Sequence, residues 1–165
     1  ILLALGCNRP NQNEQKLSKL QIAVELLESS GVQCIKSSGA YLNAPVGFDD
    51  NSEFLNAVIE VSTELSPEGL LALCLKTEEK MGRIRGSAVG PRVIDIDILC
   101  FDDWVRLEQD PLIPHPRMWS RDFVLKPLSD LYDWIENPVN GSRICLQEWK
   151  KHSKFQMFRN SLVEG

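Results

Sequence analysis

At 165 residues, 43% apolar and 25% charged, the chain has the size of one domain, residues 1–165, and the composition of a soluble globular protein. Its 23 acidic against 18 basic residues, net charge −5, argue against a broad nucleic-acid-binding surface. No run approaches the roughly 20 apolar residues that a membrane span needs. Five widely spaced cysteines, none in a C-x-x-C pair, and only two histidines (His115 and His152) speak against a zinc site and read as reduced thiols of a cytoplasmic protein. There is no signal-peptide pattern. The chain starts at Ile1 inside a strand-like run, as one lacking its first residues would.

The first element is a short buried strand, residues 1–5, broken by Gly6-Cys7-Asn8. Leu17, Leu20, Val24 and Leu27 then recur at helical spacing and predict a helix over 13–29, stopped at Gly31. Residues 32–42 are strand-like and run into a surface loop at 44–51, rich in Pro, Gly and polar turn-formers. Over 53–61 the pattern alternates: Leu55, Ala57, Ile59 and Val61 form the core face, Phe54, Asn56, Val58 and Glu60 the other. Ser66-Pro67 is an N-cap followed by Pro at the first helical position, and Leu70, Leu71, Cys74 and Leu75 make the inner stripe of a second helix ending at Gly82.

Residues 93–101 read as a strand apolar on both faces, hence central and buried. Asp102-Asp103 turns it into a hairpin strand at 104–107, the prolines extend 111–116, a short helix follows Pro127, and 148–154 is a solvated helix. The order βαββαβ, with an added hairpin and C-terminal helical segments, is an α+β fold of ferredoxin-like type with helices on one sheet face.

The chemistry concentrates at 82–101, GRIRGSAVGPRVIDIDILCF. Asp95 and Asp97, two apart in a strand, project from the same face. Two carboxylates there repel one another and resist desolvation unless a cation or donors compensate. A hard metal ion such as Mg2+, shared with an anionic ligand, would do so; so would salt bridges to nearby arginines. Arg83, Arg85 and Arg92, with Arg117 and Arg121 further on, suit phosphate oxygens, and a local cluster in an acidic chain suits a small polyanion. His115, held between Pro114 and Pro116, fits the same role. Glu78 falls at a helix C-terminus, where the macrodipole disfavours a carboxylate. Asn56 is an amide in an apolar strand that demands partners, and Phe54 and Phe123 are equally readable as core aromatics. Without a G-x-x-x-x-G-K-[ST] motif, any nucleotide is bound without a P-loop.

LALGCN, YLNAPVG, FLNAVIEV, GRIR–GPRVIDIDILCF and IPHPRM–RDFVLKPL, in this order, resemble the 6-hydroxymethyl-7,8-dihydropterin pyrophosphokinase family of folate biosynthesis, over nearly the whole chain before about Pro138. The resemblance implies a ferredoxin-like fold and transfer of the β,γ-pyrophosphoryl unit of ATP to the pterin hydroxymethyl oxygen, releasing AMP. By the same resemblance Asp95 and Asp97 bind two Mg2+ ions, and Glu78, Arg83, Arg85, Arg92, Ile98, His115 and Arg121 contact ATP. Ala44, Val46, Phe54, Asn56, Asp95 and Phe123 contact the pterin, the two phenylalanines sandwiching its ring; Arg83, Arg92 and Asp97 are the catalytic set, Asp97 assisting hydroxyl deprotonation. The partners implied are pterin and ATP, without nucleic acid or membrane, on a monomer, with weak self-association as the alternative.

Three positions depart from the family pattern. Val89 stands where many relatives carry an aromatic residue before Gly-Pro-Arg, the loop from Arg85 to Gly90 is about one residue shorter than in some of them, and Asp110 and Leu112 replace polar contacts to the nucleotide. Lid closure and adenosine recognition are where these differences bear. The competing readings are a two-metal phosphodiesterase, for which further His or Asp ligands are missing from the pattern, and a non-catalytic nucleotide-binding relative, against which Asp95, Asp97, Arg92 and His115 speak.

Overall fold

The computed structural model describes residues 1–43, 53–84, 93–151 and 154–163. β1 (Leu2–Cys7) leads into α1 (Asn13–Glu28), then β2 (Gln33–Ser37) and β3 (Ala40–Asn43), β4 (Phe54–Ser62), α2 (Pro67–Lys80) and β5 (Asp95–Cys100). All strand pairs are antiparallel, in the order β5-β1-β4-β3, with β2 also on β4. β2 and β3 are thus one strand interrupted at Ser38-Gly39, where the sequence pattern suggests a single run. Counted that way, the chain follows the ferredoxin-like βαββαβ order.

Strand alternation sorts the residues into two cores. Leu3 and Leu5 of β1, Leu55, Ala57 and Ile59 of β4, and Ile96 and Ile98 of β5 meet Leu17, Leu20 and Leu27 of α1 and Leu70 and Cys74 of α2. Ser66 caps α2 by accepting from the Gly69 N–H at 3.1 Å. On the opposite face Leu2, Val58 and Leu99 pack under Met118 and under Val124, Leu125 and Leu128 of α3 (Asp122–Leu131). Helices therefore cover both sheet faces, not one.

Four further expectations are corrected. The strand expected to be central and apolar on both faces, β5, is neither: Ile96 and Ile98 are buried on one face, Asp95 and Asp97 share the other with Leu99, and among the described residues β5 pairs only with β1, at the sheet edge. Its outer edge is closed by other groups: the Ile96 N–H donates to Glu78 Oε1 at 2.7 Å, and the His115 N–H to the Leu99 carbonyl at 2.7 Å. The hairpin expected at 104–107 reduces to one bridge, Arg106 with Ile113. The helix expected after Pro127 begins at Asp122 and runs through that proline, because burial of Val124, Leu125 and Leu128 outweighs one lost backbone bond. The solvated helix of the tail is a single turn, α4 (Gln147–Lys150), after a small hairpin of β6 (Trp134–Glu136) and β7 (Arg143–Cys145); β8 (Gln156–Arg159) then joins the sheet beside β3. Among the described residues no helix is long and apolar enough to cross a membrane.

Candidate active site

α3 covers only part of its sheet face. Leu2, Val58 and Leu99 lie beneath it, while the other ends of the same three strands are left open. There alternation presents Ala4 and Gly6 from β1, Phe54 and Asn56 from β4, and Asp95 and Asp97 from β5. The start of α3 supplies the wall, with Arg121, Phe123 and Val124. These residues line a cavity of about 250 Å³. It thus unites six residues singled out in the sequence: Phe54, Asn56, Asp95, Asp97, Arg121 and Phe123.

The strand register sets the layout. Asn56, Gly6 and Asp95 are direct partners across β4, β1 and β5, which puts the amide and the first carboxylate about 10 Å apart, two strand spacings. Gly6 separates them because nothing larger fits: a Cβ there would stand 2.7 Å from Asn56 Oδ1. Asn56, 8% exposed, donates from Nδ2 to Asn43 Oδ1, so the pair fixes which way the amide points. Gly6 and Asn43 are site residues that the sequence reading did not single out; a glycine inside a strand pattern is the signal that marks close approach.

At the other end are the charges. Arg83 Nη1 bridges Asp95 Oδ1 at 2.6 Å and Glu78 Oε2 at 2.7 Å. Burial alone would make the Arg83 guanidinium easier to deprotonate, but the two carboxylates more than reverse this and hold it raised. Glu78, its side chain 4% exposed, has one oxygen on the Ile96 N–H and the other on Arg83. Burial pushes its carboxyl up to about 7 against the pull of those two donors. Glu78 therefore stands behind the cavity as a brace for β5 and Arg83, where the resemblance assigns it to the nucleotide. The conflict with the helix dipole is offset by these contacts.

Arg121 approaches Asp97 at 4.0 Å and lies over the Phe123 ring, 5.5 Å from its centroid. Burial and then Arg117 lower its pKa. His115, half-buried, is lowered by burial, then by Arg121 and Arg117. Its Nδ1 accepts the Arg117 N–H at 3.2 Å, which leaves the neutral ring's proton on Nε2. Ile98, assigned to ATP by the resemblance, is 5% exposed and packs on the α1–α2 side; only its backbone is left to meet a ligand. Ala44, Val46, Arg85, Arg92 and the loop carrying Val89 lie outside the described residues.

Asp95 and Asp97 fit a hard divalent cation: they are oxygen donors on one face, side by side, and side-chain exposures of 32% and 39% leave them reachable. Among the described residues no group of three or more His, Cys, Asp or Glu could hold a metal alone. Two carboxylates with the balance of ligands from phosphate and water is the pattern Mg2+ favours.

Comparison with known proteins decides the family. Residues 2–133 match the model of 7,8-dihydro-6-hydroxymethylpterin-pyrophosphokinase. The chain belongs to that family. Pyrophosphoryl transfer from ATP to hydroxymethyldihydropterin, a step of folate biosynthesis, is the family's activity. The chain is 34% identical over 163 residues to the Bacillus subtilis 2-amino-4-hydroxy-6-hydroxymethyldihydropteridine pyrophosphokinase, covering 96% of this chain and 95% of that one. It is 35% identical over 145 residues to the folic acid synthesis protein fol1 of Pneumocystis carinii, which covers 88% of this chain but only 19% of the longer protein. The Plasmodium falciparum HPPK-DHPS structure superposes with a TM-score of 0.64 at 18% identity, over 90% of this chain and 40% of that one, and establishes the shared fold. Pyrophosphokinase relatives thus include both stand-alone chains and much longer ones.

Proposed function

We propose that this site transfers the β,γ-pyrophosphoryl group of ATP to the hydroxymethyl oxygen of 6-hydroxymethyl-7,8-dihydropterin, with AMP as the leaving group. The observation that carries this reading is the one cavity with an aromatic-and-amide end and a charged end, separated by Gly6. A flat, uncharged bicycle suits the first: Phe54 and Phe123 supply ring faces, and Asn56, oriented by Asn43, reads the ring edge. The triphosphate suits the second.

Asp95 and Asp97 would hold magnesium, two ions in this proposal, with the remaining ligands from phosphate and water. The metal supplies neutralisation of phosphate charge and favours ionisation of a bound hydroxyl. Arg83 has Nη1 committed to Glu78 and Asp95, and its other N–H groups would serve the phosphate oxygens. Arg121 and the His115 Nε2–H bind along the same chain, joined by Arg85 and Arg92 on the family pattern. Ala44 and Val46 offer backbone contacts to the pterin. As the hydroxymethyl oxygen bonds to the β-phosphorus, the bond from that phosphorus to the α,β-bridging oxygen breaks and AMP departs. Asp97 takes the hydroxyl proton. Beyond that proton transfer, catalysis rests on orientation and charge compensation.

The five free thiols support a reducing compartment, the cytoplasm, and the net charge of −5 supports small-molecule partners over nucleic acid. We take residues 1–165 to act as one domain and as a monomer.

The test is to incubate the protein with ATP, Mg2+ and the hydroxymethyl dihydropterin and to separate the nucleotides. AMP should form in proportion to pterin pyrophosphorylated and vanish on adding EDTA. ADP as the product, or AMP formed without pterin, would overturn the proposal.

A further inference from the structure

α1 carries a lysine where two physical effects oppose it. Lys16 is in the helix's first turn, at the positive end of the macrodipole. It is also 1% exposed, and burying an ammonium is costly unless strong partners compensate. Such a position invites the question of what the cation holds.

Its Nζ donates to the Glu53 carbonyl at 2.6 Å and to Asn13 Oδ1 at 3.3 Å, and its own carbonyl accepts from Cys7 Sγ at 3.5 Å. One residue therefore ties the end of β1, the start of α1 and the residue immediately before β4. The ladder explains the placement. From Phe54 onward β4 is fixed by its neighbours, Asn43 opposite Phe54 and Cys7 opposite Leu55. Glu53 lies one residue outside that register, and its carbonyl is held by the lysine in a charge-assisted bond. Phe54 is the next residue and Asn56 the next on the same face, and both line the cavity.

We propose that Lys16 is a positioning residue for the acceptor half of the site: by clamping the Glu53 carbonyl it sets the angle at which β4 presents Phe54. This rests on the reading of that half as the pterin pocket. Lys16 is not among the residues that line the cavity. Its effect falls on the aromatic end, because its contacts with Glu53, Asn13 and Cys7 gather where β4 begins.

The experiment measures dissociation constants for 6-hydroxymethylpterin and, separately, for the Mg2+ complex of a non-hydrolysable ATP analogue, in wild type, K16M and K16Q. Thermal midpoints are recorded alongside. For K16M the pterin constant should rise about tenfold and the nucleotide constant stay within twofold; K16Q, which keeps an N–H donor on a shorter stem, should fall between. A lowered midpoint with both constants unchanged, or both constants raised equally, would overturn the proposal. If K16M yields no folded protein, K16Q decides by the same criterion. Failure of the wild type to bind pterin at all would instead sink the reading of the pocket.

Discussion

Replacing Gly6 with alanine is the sharpest probe of the site's layout. The new Cβ would lie 2.7 Å from Asn56 Oδ1, well inside the 3.4–4 Å of ordinary contact, whereas its next neighbours would be at 3.8 Å. One atom therefore takes the whole strain. Asn56 must swing away, giving up its bond to Asn43 and its orientation in the cavity. Losing one buried amide bond costs about 1–2 kcal/mol, equivalent to a factor of roughly 5–30 in binding. Stability should suffer less, since alanine in a strand recovers about 0.5–1 kcal/mol over glycine. In a coupled AMP-release assay, varying each substrate with the other saturating, G6A should raise the pterin KM by about tenfold and leave the ATP KM and the thermal midpoint nearly unchanged. The N56A background supplies the control. With Oδ1 gone the Cβ has nothing to strike, so G6A/N56A should be no worse than N56A. An undiminished penalty in the double variant, or a G6A pterin KM within twofold of wild type, would refute the reasoning.

Three further outcomes are expected. D97A should lose transfer by about a thousandfold or more, the scale of a lost transition-state charge contact, while its circular dichroism stays native, since the Arg121–Asp97 pair is partly exposed and spans 4.0 Å; retained turnover would refute the role. Glu78, raised from 4.5 to about 7 by burial, keeps its proton in the folded chain after the unfolded chain has released it. Its contribution to stability is complete below about pH 4.5 and lost as pH rises through about 7. Urea unfolding from pH 5 to 8 should show wild type declining relative to E78Q, and parallel profiles would exclude this. His115 is shifted the other way, so its contribution is present above 6.5 and lost as pH falls through its lower folded value. Its imidazole proton resonance should titrate with a midpoint below 6.5 in ligand-free protein; a midpoint at or above 6.5 would contradict the burial and the arginine neighbours.

Much of the fold was legible because period and burial coincide. α1 and β4 follow from spacing alone, and α2 from its cap and inner stripe. The site was legible where odd residues interrupt such patterns: Asp95 and Asp97 in an apolar strand, Asn56 in another. What the pattern does not carry is lateral position. The alternation of β5 reports which residues face the core, and says nothing of whether a strand or the Glu78 carboxylate meets its edge. Glu78 itself reads as an exposed helix end, since the Ile96 N–H it accepts from comes from a segment eighteen residues on. Pro127 shows the converse, a local breaker overridden by the apolar stripe around it. Gly6 was passed over as a strand terminator, for its meaning depends on Asn56, fifty residues away.

The alternation within β5 has a consequence for how this sequence can vary. Asp95 and Asp97 face the cavity only because Ile96 and Ile98 face the core. An insertion or deletion of one residue within the strand would exchange the two sets, sending carboxylates into the apolar layer and isoleucines into the cleft. A bulge can take up such a change, as β5 does against β1 where Leu2 faces Cys100 and Leu3 faces Ile98, but it leaves both sets in place only when it falls beyond Asp97. Variants that have lost the carboxylate face by slippage would also have lost the apolar face that packs on α1 and α2. Drift can reach Asp95 to Asp97 by substitution, and the strand can change length only where a bulge beyond them absorbs it.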